Sequence, residues 1–469
     1  MDTLAINLNS ASSLPLYEQI YIFIKSEIQS GRIPPGAKLP SKRKLSSHLK
    51  VSQNTIQAAY NQLIEEGYVT PEERRGFFVC KLDQIQKMNL TKEPEERQED
   101  ALQHTIAFDF TYNGVDKPSF PFSVWRKLMK DVINENDSEL LQTGSSLGSP
   151  QLRAVIADYL HQSRGVNCRD NQIIISSGTE VMYQLLIQLF SRDTVFGIEN
   201  PGYQKLKQVF ISNKANVKAI GIDRSGIIPE EVHKAEADIL CITPSHQFPT
   251  GEIMPINRRL QLLNWANEQE GRYLIEDDYD SEFKYSTKPV PSLQGLDTNE
   301  KIIYMGSFSK SISPTIRVSY MVLPAHLMKR YQKQLSFIIC PVPIIEQKVL
   351  YHFIKDGYFE RHLSKMRNIY KKKRDVLVTE ILNLNKGIEI LGADAGLHLL
   401  IKIPNGMSES QLIQSAKNHG IRVYAISEYY YDKSLIDTVS TIMLGYAVIS
   451  EDEIRKAVQI LNSIWFSCN

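Results

Sequence analysis

The spacing of hydrophobic positions divides the chain into a short helical beginning and a long part in which strand-like and helix-like stretches alternate. Near the beginning, Ile20, Ile24 and Ile28 recur at the spacing of one face of a helix. Gly31 follows directly and ends this helix, because glycine readily adopts the left-handed conformation that terminates helices. The first predicted element is therefore an amphipathic helix with one buried side.

Two further helices and a hairpin are predicted before residue 80. Ser41 and Ser52 are each placed to cap a helix, because a serine hydroxyl accepts a hydrogen bond from the free N–H groups at a helix start. Residues 68–70 and 76–79 predict two strands joined by a turn. Three helices followed by a hairpin are typical of a winged helix-turn-helix, which is a DNA-binding module.

From residue 106 onward, short apolar runs alternate with amphipathic helical stretches such as residues 180–190 and 257–268. This alternation predicts an α/β fold with a mostly parallel sheet and helices on both faces. Ligands on such sheets bind beyond the carboxyl ends of the strands. The predicted strands are residues 173–175, 195–198, 239–242, 273–275 and 302–305.

Length and composition restrict the class of protein. A chain of 469 residues should hold two or three domains, and its net charge of +1 gives no global sign of nucleic-acid binding. The five cysteines lack the spacing of a metal site or a disulfide framework, which favours a reducing, cytoplasmic location. No apolar run approaches the roughly 18 residues of a membrane span, so we expect neither a membrane helix nor a secretion signal.

The local charge distribution nevertheless favours DNA binding by the first domain. Five basic residues and no acidic residue lie from Lys38 to Lys50, and two arginines occupy the tip of the hairpin. Such side chains neutralise phosphates, while short polar side chains at the start of the third helix can contact base edges. The alternative is a solvated basic face of a protein-interaction module. The candidate DNA contacts are Lys42, Arg43, Ser52, Gln53, Asn54, Thr55, Gln57, Arg74 and Arg75.

The main candidate for chemistry is Lys310, which follows the apolar run 302–305 in the stretch Ser-Phe-Ser-Lys-Ser. We expect Gly306 to break the strand before it. A lysine amine at such a position can form a Schiff base with pyridoxal phosphate, while Ser307, Ser309 and Arg317 hold the phosphate. The alternative is an ordinary surface loop, so the prediction depends on the other strand ends.

Two other strand ends carry side chains that suit the same cofactor. Asp277 can pair with the pyridine nitrogen, and Tyr279 can meet the ring oxygen. An acidic metal site is the competing interpretation, but hard-metal loops gather more oxygen ligands over a longer span, so no metal is predicted. Ser177, Gly178 and Thr179 open a helix, and a helix N-terminus with hydroxyls can bind a phosphate; an ordinary capped turn is the alternative.

Two turns after strands supply the remaining candidates. Tyr203, in Asn-Pro-Gly-Tyr, can stack on the cofactor ring or on a ligand. His246 or Gln247 can donate a hydrogen bond to the ring oxygen, although a lone histidine in a turn is as often structural.

Several motifs carry a family resemblance. L-P-S-K-R-K-L-S-S-H-L-K-V-S-Q-N-T, followed by A-Y-N-Q-L-I-E-E-G-Y and G-F-F-V, resembles the GntR-type winged-helix domain. T-P-S-H-Q-F-P-T-G, I-E-D-D-Y-D-S-E-F and Y-M-G-S-F-S-K-S resemble the fold-type I aminotransferases, which depend on pyridoxal phosphate. Together the two parts are similar to the MocR/GabR family of regulators.

The resemblance implies a cytoplasmic, pyridoxal phosphate-dependent transcription factor that forms a head-to-tail homodimer. It implies a winged helix-turn-helix over residues 1–80 and an aminotransferase-like body over residues 106–469, whose smaller C-terminal subdomain is α+β. Residues 81–105 are expected to form a flexible linker, because six acids against three bases lie among sparse apolar residues over 83–100. An amine or amino-acid effector would be sensed by aldimine exchange at Lys310.

Departures from the family concern the effector. Where GABA-responsive members carry arginines, this chain has Lys205 and Glu428, and no late arginine lies near Leu444-Gly445-Tyr446-Ala447-Val448. An acid would repel a carboxylate, so the effector need not be GABA. Two alternatives to an effector sensor remain, namely an active aminotransferase with a regulatory DNA-binding head and a sensor of pyridoxal phosphate itself.

Overall fold

The computed structural model describes residues 6–9, 12–82, 106–134, 138–285, 290–431 and 439–466. The chain divides into two compact units, Met1–Ala101 and Leu102–Asn469. The linker predicted over residues 81–105 lies, beyond Leu82, outside the described residues.

The first unit is the winged helix-turn-helix that the sequence predicts. Ser41 accepts a hydrogen bond from the Lys44 amide at 3.2 Å, and Ser52 accepts one from the Thr55 amide at 3.1 Å, which confirms both caps. A two-stranded antiparallel hairpin follows the third helix. Its elements are α1 (Leu16–Gln29), α2 (Lys42–Leu49), α3 (Gln53–Glu65), β1 (Val69–Glu72) and β2 (Gly76–Val79).

The core of this unit comes from the predicted apolar faces. Ile20, Ile24 and Ile28 on α1 are buried together with Ile56 and Leu63 on α3. Because these side chains take up the inner faces of the helices, the polar start of α3 is left at the surface.

The second unit contains the alternating α/β arrangement. Its helices are α4 (Phe122–Asn134), α5 (Pro150–Arg164), α6 (Thr179–Leu189), α7 (Gln204–Ser212), α8 (Pro229–Ala235), α9 (Ile256–Asn267), α10 (Ala325–Gln334), α11 (Ile344–Lys355), α12 (Tyr358–Asn383), α13 (Glu409–Asn418) and α14 (Glu451–Phe466). Its strands are β3 (Phe108–Asp109), β4 (Ile173–Ser176), β5 (Val195–Asn200), β6 (Asn216–Asp223), β7 (Gly226–Ile227), β8 (Ile239–Ile242), β9 (Tyr273–Asp278), β10 (Ile302–Ser307), β11 (Ser319–Val322), β12 (Glu389–Leu391), β13 (His398–Lys402), β14 (Ile421–Arg422), β15 (Tyr424–Ala425) and β16 (Thr441–Gly445).

The large sheet has the strand order β4-β11-β10-β9-β8-β5-β6-β7. Neighbouring strands from β10 to β6 pair in parallel, whereas β11 and β7 are antiparallel to their neighbours. Side chains alternate between the two faces, so that Ile303 and Met305 enter one hydrophobic cluster while Tyr304 enters another. The mostly parallel sheet is therefore confirmed, with the carboxyl ends of its parallel strands at one edge.

Two details of the strand predictions are wrong. Strands β9 and β10 continue through Asp278 and Ser307, because the parallel ladder extends to the pairs Met305–Asp277 and Gly306–Asp278. Gly306 does not break β10. A Cβ at this position would overlap the Tyr320 ring on the neighbouring strand, so glycine is needed for close packing rather than for a turn.

A second, four-stranded antiparallel sheet lies toward the C-terminus, in the order β12-β13-β16-β15. It packs with α12, α13 and α14 around a separate hydrophobic cluster that includes Leu399, Leu444 and Leu461. This is the smaller α+β subdomain that the family resemblance implies. Within the described ranges, no helix is long and apolar enough to cross a membrane.

Candidate functional site

Lys310 lies in the turn that follows β10, with its amine partly buried. The Nζ atom donates a hydrogen bond to the Tyr112 carbonyl oxygen and lies 5.2 Å from the centroid of the Tyr112 ring. Burial lowers the pKa of this amine to about 8, although the nearby Asp280 carboxylate acts in the opposite direction. A lysine with a lowered pKa is more often neutral near physiological pH and is therefore a better nucleophile.

Asp277 occupies the end of β9, beside the strand that leads to Lys310. Its Oδ2 atom accepts a hydrogen bond from the Tyr183 hydroxyl at 3.3 Å, while Oδ1 is buried without a partner among the described residues. Burial raises the pKa of this carboxyl to about 7. A buried carboxylate oxygen without a partner is costly, and a protonated pyridine nitrogen would satisfy it.

The two acids that flank Asp277 face elsewhere, so the three do not form a metal site together. Glu276 and Asp278 lie on the opposite face of β9 from Asp277 because strand side chains alternate. Glu276 accepts the Leu293 amide at 2.8 Å, and Asp278 forms a buried ion pair with Arg164 at 2.8 Å. Of the three acids on β9, Asp277 is therefore the one on the face toward Tyr183.

The predicted phosphate-binding residues converge from two elements. Gly178 is the N-cap of α6, and Arg317 donates through Nη2 to the Ser177 carbonyl oxygen at 3.1 Å and to Glu180 at 3.2 Å. Arg317 has a positive φ of 53°, which is unusual for a residue with a side chain. A Cβ on Gly178 would overlap the Arg317 guanidinium, so only glycine permits this approach.

Hydroxyl groups complete this cradle. The Ser307 hydroxyl donates to the Ser309 hydroxyl at 2.8 Å, and the Ser309 amide donates to Ser307 at 3.0 Å. Ser319 on β11 pairs with both Ser307 and Ser176, and this pairing places the start of α6 near the Lys310 turn. The sheet register therefore brings together two motifs that are far apart in the sequence.

Tyr279, His246 and Tyr203 lie in one aromatic neighbourhood. The Tyr279 hydroxyl is 2.9 Å from Nδ1 of His246, and the two rings are nearly stacked. Tyr203 packs edge-on against Phe248, which also contacts the Tyr279 ring. Gln247 does not face this group, because its amide donates to the carbonyl oxygens of Pro201 and Phe248.

Four residues around the site were not anticipated from the sequence. Tyr183 bonds Asp277, Asp280 bonds His246, and Tyr112 contacts Lys310. Gly396 approaches His246 so closely that a Cβ would overlap its ring. The signal for Asp280 was present in Asp-Asp-Tyr-Asp, but the sequence does not show that this acid contacts His246. Tyr112 lies 198 residues before Lys310, and Gly396 lies beyond α12, just before β13 of the small subdomain.

One group of potential metal ligands occurs among the described residues. The ligand atoms of His246, Asp280 and His398 lie within 4.8 Å of one another. These groups already bond each other or the backbone, since His246 Nδ1 is 3.0 Å from Asp280 and His398 Nε2 is 3.0 Å from the Pro249 carbonyl oxygen. The hydrogen bonds account for the cluster without an ion.

The predicted effector residues both lie at the surface of their elements. Lys205 is exposed on the first turn of α7, and Glu428 is exposed in the short 3-10 helix Ser427–Tyr429. No ion pair joins the two side chains within the described residues.

The candidate DNA-contacting residues lie on α2, on α3 with its N-cap, and in the hairpin turn. Arg43, Ser52, Gln53 and Asn54 are exposed, and Thr55 is half-buried. Lys42 and Gln57 bond each other between α2 and α3. At the hairpin, Arg74 adopts a positive φ of 60°, and Arg75 pairs with Glu72. The start of α3 is thus open to solvent beside basic side chains, as base reading and phosphate contact require.

Comparison with known proteins assigns both units. The family profile of aminotransferase class I and II matches residues 108–461, and that of bacterial regulatory proteins of the gntR family matches residues 16–79. An uncharacterized HTH-type transcriptional regulator, YdeL of Bacillus subtilis, is 40% identical over 459 residues, which is 98% of each chain. The chain belongs to the MocR/GabR family of transcriptional regulators.

Other relatives of this MocR/GabR member agree with the assignment. The probable rhizopine catabolism regulatory protein MocR of Rhizobium meliloti is 28% identical over 480 residues, covering 98% of this chain and 96% of that one. The kynurenine aminotransferase of Pyrococcus horikoshii, solved with PMP, matches with a TM-score of 0.67 and 23% identity. That match covers 76% of this chain and 89% of the aminotransferase, and it shows a shared fold.

Proposed function

We propose that this MocR/GabR member is a pyridoxal phosphate-dependent transcriptional regulator. Its winged helix-turn-helix, over residues 1–80, binds promoter DNA, and its body, over residues 106–469, senses an amine or amino acid at Lys310. Residues 81–105 link the two, and two copies form a head-to-tail dimer. Relatives with the same two modules are transcriptional regulators, which supports the first part of the proposal.

The observation that carries the cofactor assignment is the unpartnered Oδ1 atom of Asp277. It lies at the sheet edge where the Lys310 turn and the start of α6 also meet. These residues fit pyridoxal phosphate, since Asp277 would hold the pyridine nitrogen and Arg317, Ser307 and Ser309 the phosphate. The cofactor supplies an aldehyde that condenses reversibly with primary amines, which makes an amine ligand detectable.

Each residue has a defined part in this arrangement. Lys310 provides a neutral amine, because its pKa is lowered to about 8. Asp277 keeps a proton on the ring nitrogen, because a carboxylate beside a cation stabilises the charged form. Tyr279 would donate to the ring oxygen, and Tyr203 would pack against the ring. His246 contacts Tyr279 rather than standing by itself in a turn.

We propose sensing rather than efficient transamination of ordinary amino acids. The stretch that carries a carboxylate-binding arginine in aminotransferases is Leu444 to Val448 here, and Leu444 is fully buried in the small-subdomain core. A ligand that binds one conformation more tightly than another shifts the protein toward that conformation, and this needs no turnover.

Reduction of the cofactor-loaded protein with borohydride tests the assignment. The reduced protein should carry one phosphopyridoxyl group on the peptide that contains Lys310. Lys310→Ala should retain no reducible adduct, while still binding the cofactor weakly through the phosphate cradle. A reducible adduct that persists in Lys310→Ala would place the anchor on another lysine and contradict the proposal.

A further inference from the structure

The side chains of His246, Asp280 and Tyr279 form a hydrogen-bonded, largely buried cluster close to the predicted cofactor site. Nδ1 of His246 lies 3.0 Å from both carboxylate oxygens of Asp280 and 2.9 Å from the hydroxyl of Tyr279. His246 and Asp280 are each only 2% exposed. Nε2 of His246 is buried and has no partner among the described residues. Because only one nitrogen is bonded, the position of the ring proton can be deduced.

The contacts assign that proton to Nδ1. A carboxylate with both oxygens 3.0 Å from an unprotonated Nδ1 would place lone pairs against each other. The other tautomer would also bury an N–H group without an acceptor, which costs more than an unpartnered imidazole lone pair. With the proton on Nδ1, the single N–H group is shared between the Asp280 carboxylate and the oxygen of Tyr279 in a bifurcated hydrogen bond. The phenol oxygen then accepts a hydrogen bond, so its own hydrogen is free to point elsewhere.

We propose that His246, oriented by Asp280, is a positioning residue that turns the hydroxyl hydrogen of Tyr279 toward the ring oxygen of bound pyridoxal phosphate. This inference rests on the proposed function. His246 acts through Tyr279 and does not itself contact the cofactor. A hydrogen bond received by the phenol oxygen also polarises its O–H group, which makes Tyr279 a stronger donor.

The surrounding structure holds the histidine ring in one orientation. A Cβ on Gly396 would overlap Cε1 of His246, so the backbone at this glycine closes one side of the ring. The carbonyl oxygen of Gly396 accepts hydrogen bonds from Tyr285 at 2.6 Å and Tyr446 at 2.7 Å. The small subdomain, through Tyr446, thereby fixes the position of a group that acts on the cofactor. The His398 ring lies 5.2 Å from His246.

The pH dependence of this group has several contributors. Burial raises the pKa of Tyr279 far above its usual value, so this phenol remains a donor throughout the neutral range. Burial also lowers the pKa of His398 to about 3, so its ring stays neutral. The charged or titratable groups that act on this neighbourhood are Asp280, Asp277, Asp278, Glu199, Lys310 and His398.

The absorbance of the bound cofactor as a function of pH tests the proposal. When the chromophore loses its proton, its ring oxygen carries more negative charge, and a donor stabilises that form more. Tyr279→Phe should therefore raise the pKa of the absorbance change by about one unit, a tenfold change in proton affinity. His246→Phe keeps an aromatic ring but lacks the N–H group, and it should produce at least about half of that rise.

Two further variants separate positioning from a merely structural role. His246→Asn places an amide nitrogen near the position of Nδ1, and it should restore the wild-type pKa. Combining His246→Phe with Tyr279→Phe should add nothing to Tyr279→Phe alone, because the histidine acts through the phenol. An additive double variant, or a wild-type pKa in His246→Phe, would overturn the proposal.

The proton on His246 can also be tested without cofactor. Nitrogen-15 spectra of the histidine-labelled, full-length protein should contain a neutral ring protonated at Nδ1 that disappears in His246→Asn. A ring protonated at Nε2 would contradict the assignment even if the phenylalanine variant failed to fold. If the wild-type protein gave no cofactor absorbance at all, the proposed function would fail instead, which distinguishes the two outcomes.

Discussion

At the scale of single residues, environment rather than residue type distinguishes the acids at and just beyond the end of β9. Glu276, Asp277, Asp278 and Asp280 are adjacent or nearly so in the sequence, yet Glu276 accepts a backbone amide, Asp278 is ion-paired with Arg164 and Asp280 contacts His246. Asp277 differs because it has neither a basic side chain nor a backbone amide against its oxygens among the described residues: Oδ2 accepts from the Tyr183 hydroxyl, and Oδ1 is buried without a partner. Oδ1 of Asp278 also lacks a partner, but its carboxylate is neutralised by Arg164. The sequence selects Asp277 as a candidate by its spacing to Lys310, and this stays a prediction. The environment that distinguishes it from its neighbours depends on the side-chain alternation of a strand that continues through Asp278.

This environment makes the stability of the cofactor-free protein depend on pH. The folded pKa of Asp277 is raised to about 7 from 3.8, so the folded state binds the extra proton between these values. Stability contributed by that proton is present at low pH and is lost as the pH rises through 7. Asp277→Asn should therefore be more stable than wild type at pH 8, by on the order of 1–3 kcal/mol, and equal to it below about pH 4.

Urea unfolding of the cofactor-free proteins at pH 8 and pH 4 measures this difference. Asp158→Asn is the control, because Asp158 is exposed on α5, and it should leave the unfolding transition in place. A destabilised Asp277→Asn protein at pH 8 would show that the carboxylate is stabilised by a group other than the missing cofactor.

At the scale of elements, the sequence located the central strands well, but it placed the ends of β9 and β10 too early and did not show how the strands pack. Alternating apolar runs identified the central strands because buried parallel strands are continuously apolar. The prediction that Gly306 breaks the strand was wrong. Glycine is required there because a Cβ would overlap the Tyr320 ring on β11, the strand paired with β10, and the local sequence does not show this contact. Gly178, in contrast, lies at a predicted helix start, where a positive φ of 104° and the Arg317 guanidinium both require glycine.

Gly178→Ala tests the phosphate cradle at the start of α6. The added methyl group meets the Arg317 guanidinium in an unfavourable backbone conformation, which costs roughly 1–3 kcal/mol. Affinity for pyridoxal phosphate, measured by fluorescence titration, should fall at least about tenfold. Gly271→Ala is the control, because nothing lies within 4 Å of a Cβ there, and its affinity should equal that of wild type. Equal affinities for both variants would move the phosphate away from α6.

Substitutions in the first unit can distinguish residues that contact DNA phosphates from residues that contact base edges. Arg43 is exposed on α2, whereas Arg32 is paired with Glu27 at 2.9 Å near the end of α1. Arg43→Ala should weaken binding to specific and random duplexes alike and reduce the salt slope by about one. Arg32→Ala should leave the slope unchanged, and substitutions of Gln53 or Asn54 should change the preferred sequence. An unchanged slope in Arg43→Ala would place this arginine away from the DNA backbone.

At the scale of the whole molecule, the two units have separate hydrophobic cores, and each carries its own characteristic sequence motifs. The resemblance carried by short motifs was sufficient to predict the family and both folds, because those motifs lie where backbone geometry restricts the residue. The effector could not be predicted in the same way. Lys205 and Glu428 are exposed, and exposed side chains can serve many ligands.

The exposed Glu428 nevertheless leads to a definite expectation for GABA. A carboxylate repels another carboxylate, so millimolar GABA should leave the cofactor absorbance of the wild-type protein unchanged. Glu428→Arg should raise GABA affinity by at least about tenfold, which is the size of one charged hydrogen bond. Glu428→Gln is the matched control and should not gain this affinity. A full spectral response of the wild-type protein to GABA would show that the ligand carboxylate is held elsewhere.

The central claim is that an amine acting at Lys310 changes DNA binding by the winged helix-turn-helix. The most direct measurement is the affinity of the full-length, cofactor-loaded protein for a duplex selected from a random library, followed by fluorescence anisotropy across a panel of amines, amino acids and dipeptides. We predict that at least one compound changes both the cofactor spectrum and the DNA affinity of the wild-type protein, and that Lys310→Ala loses both responses. A compound that shifts DNA affinity equally in wild type and Lys310→Ala would contradict the claim, as would a spectral response that leaves DNA affinity unchanged for every compound.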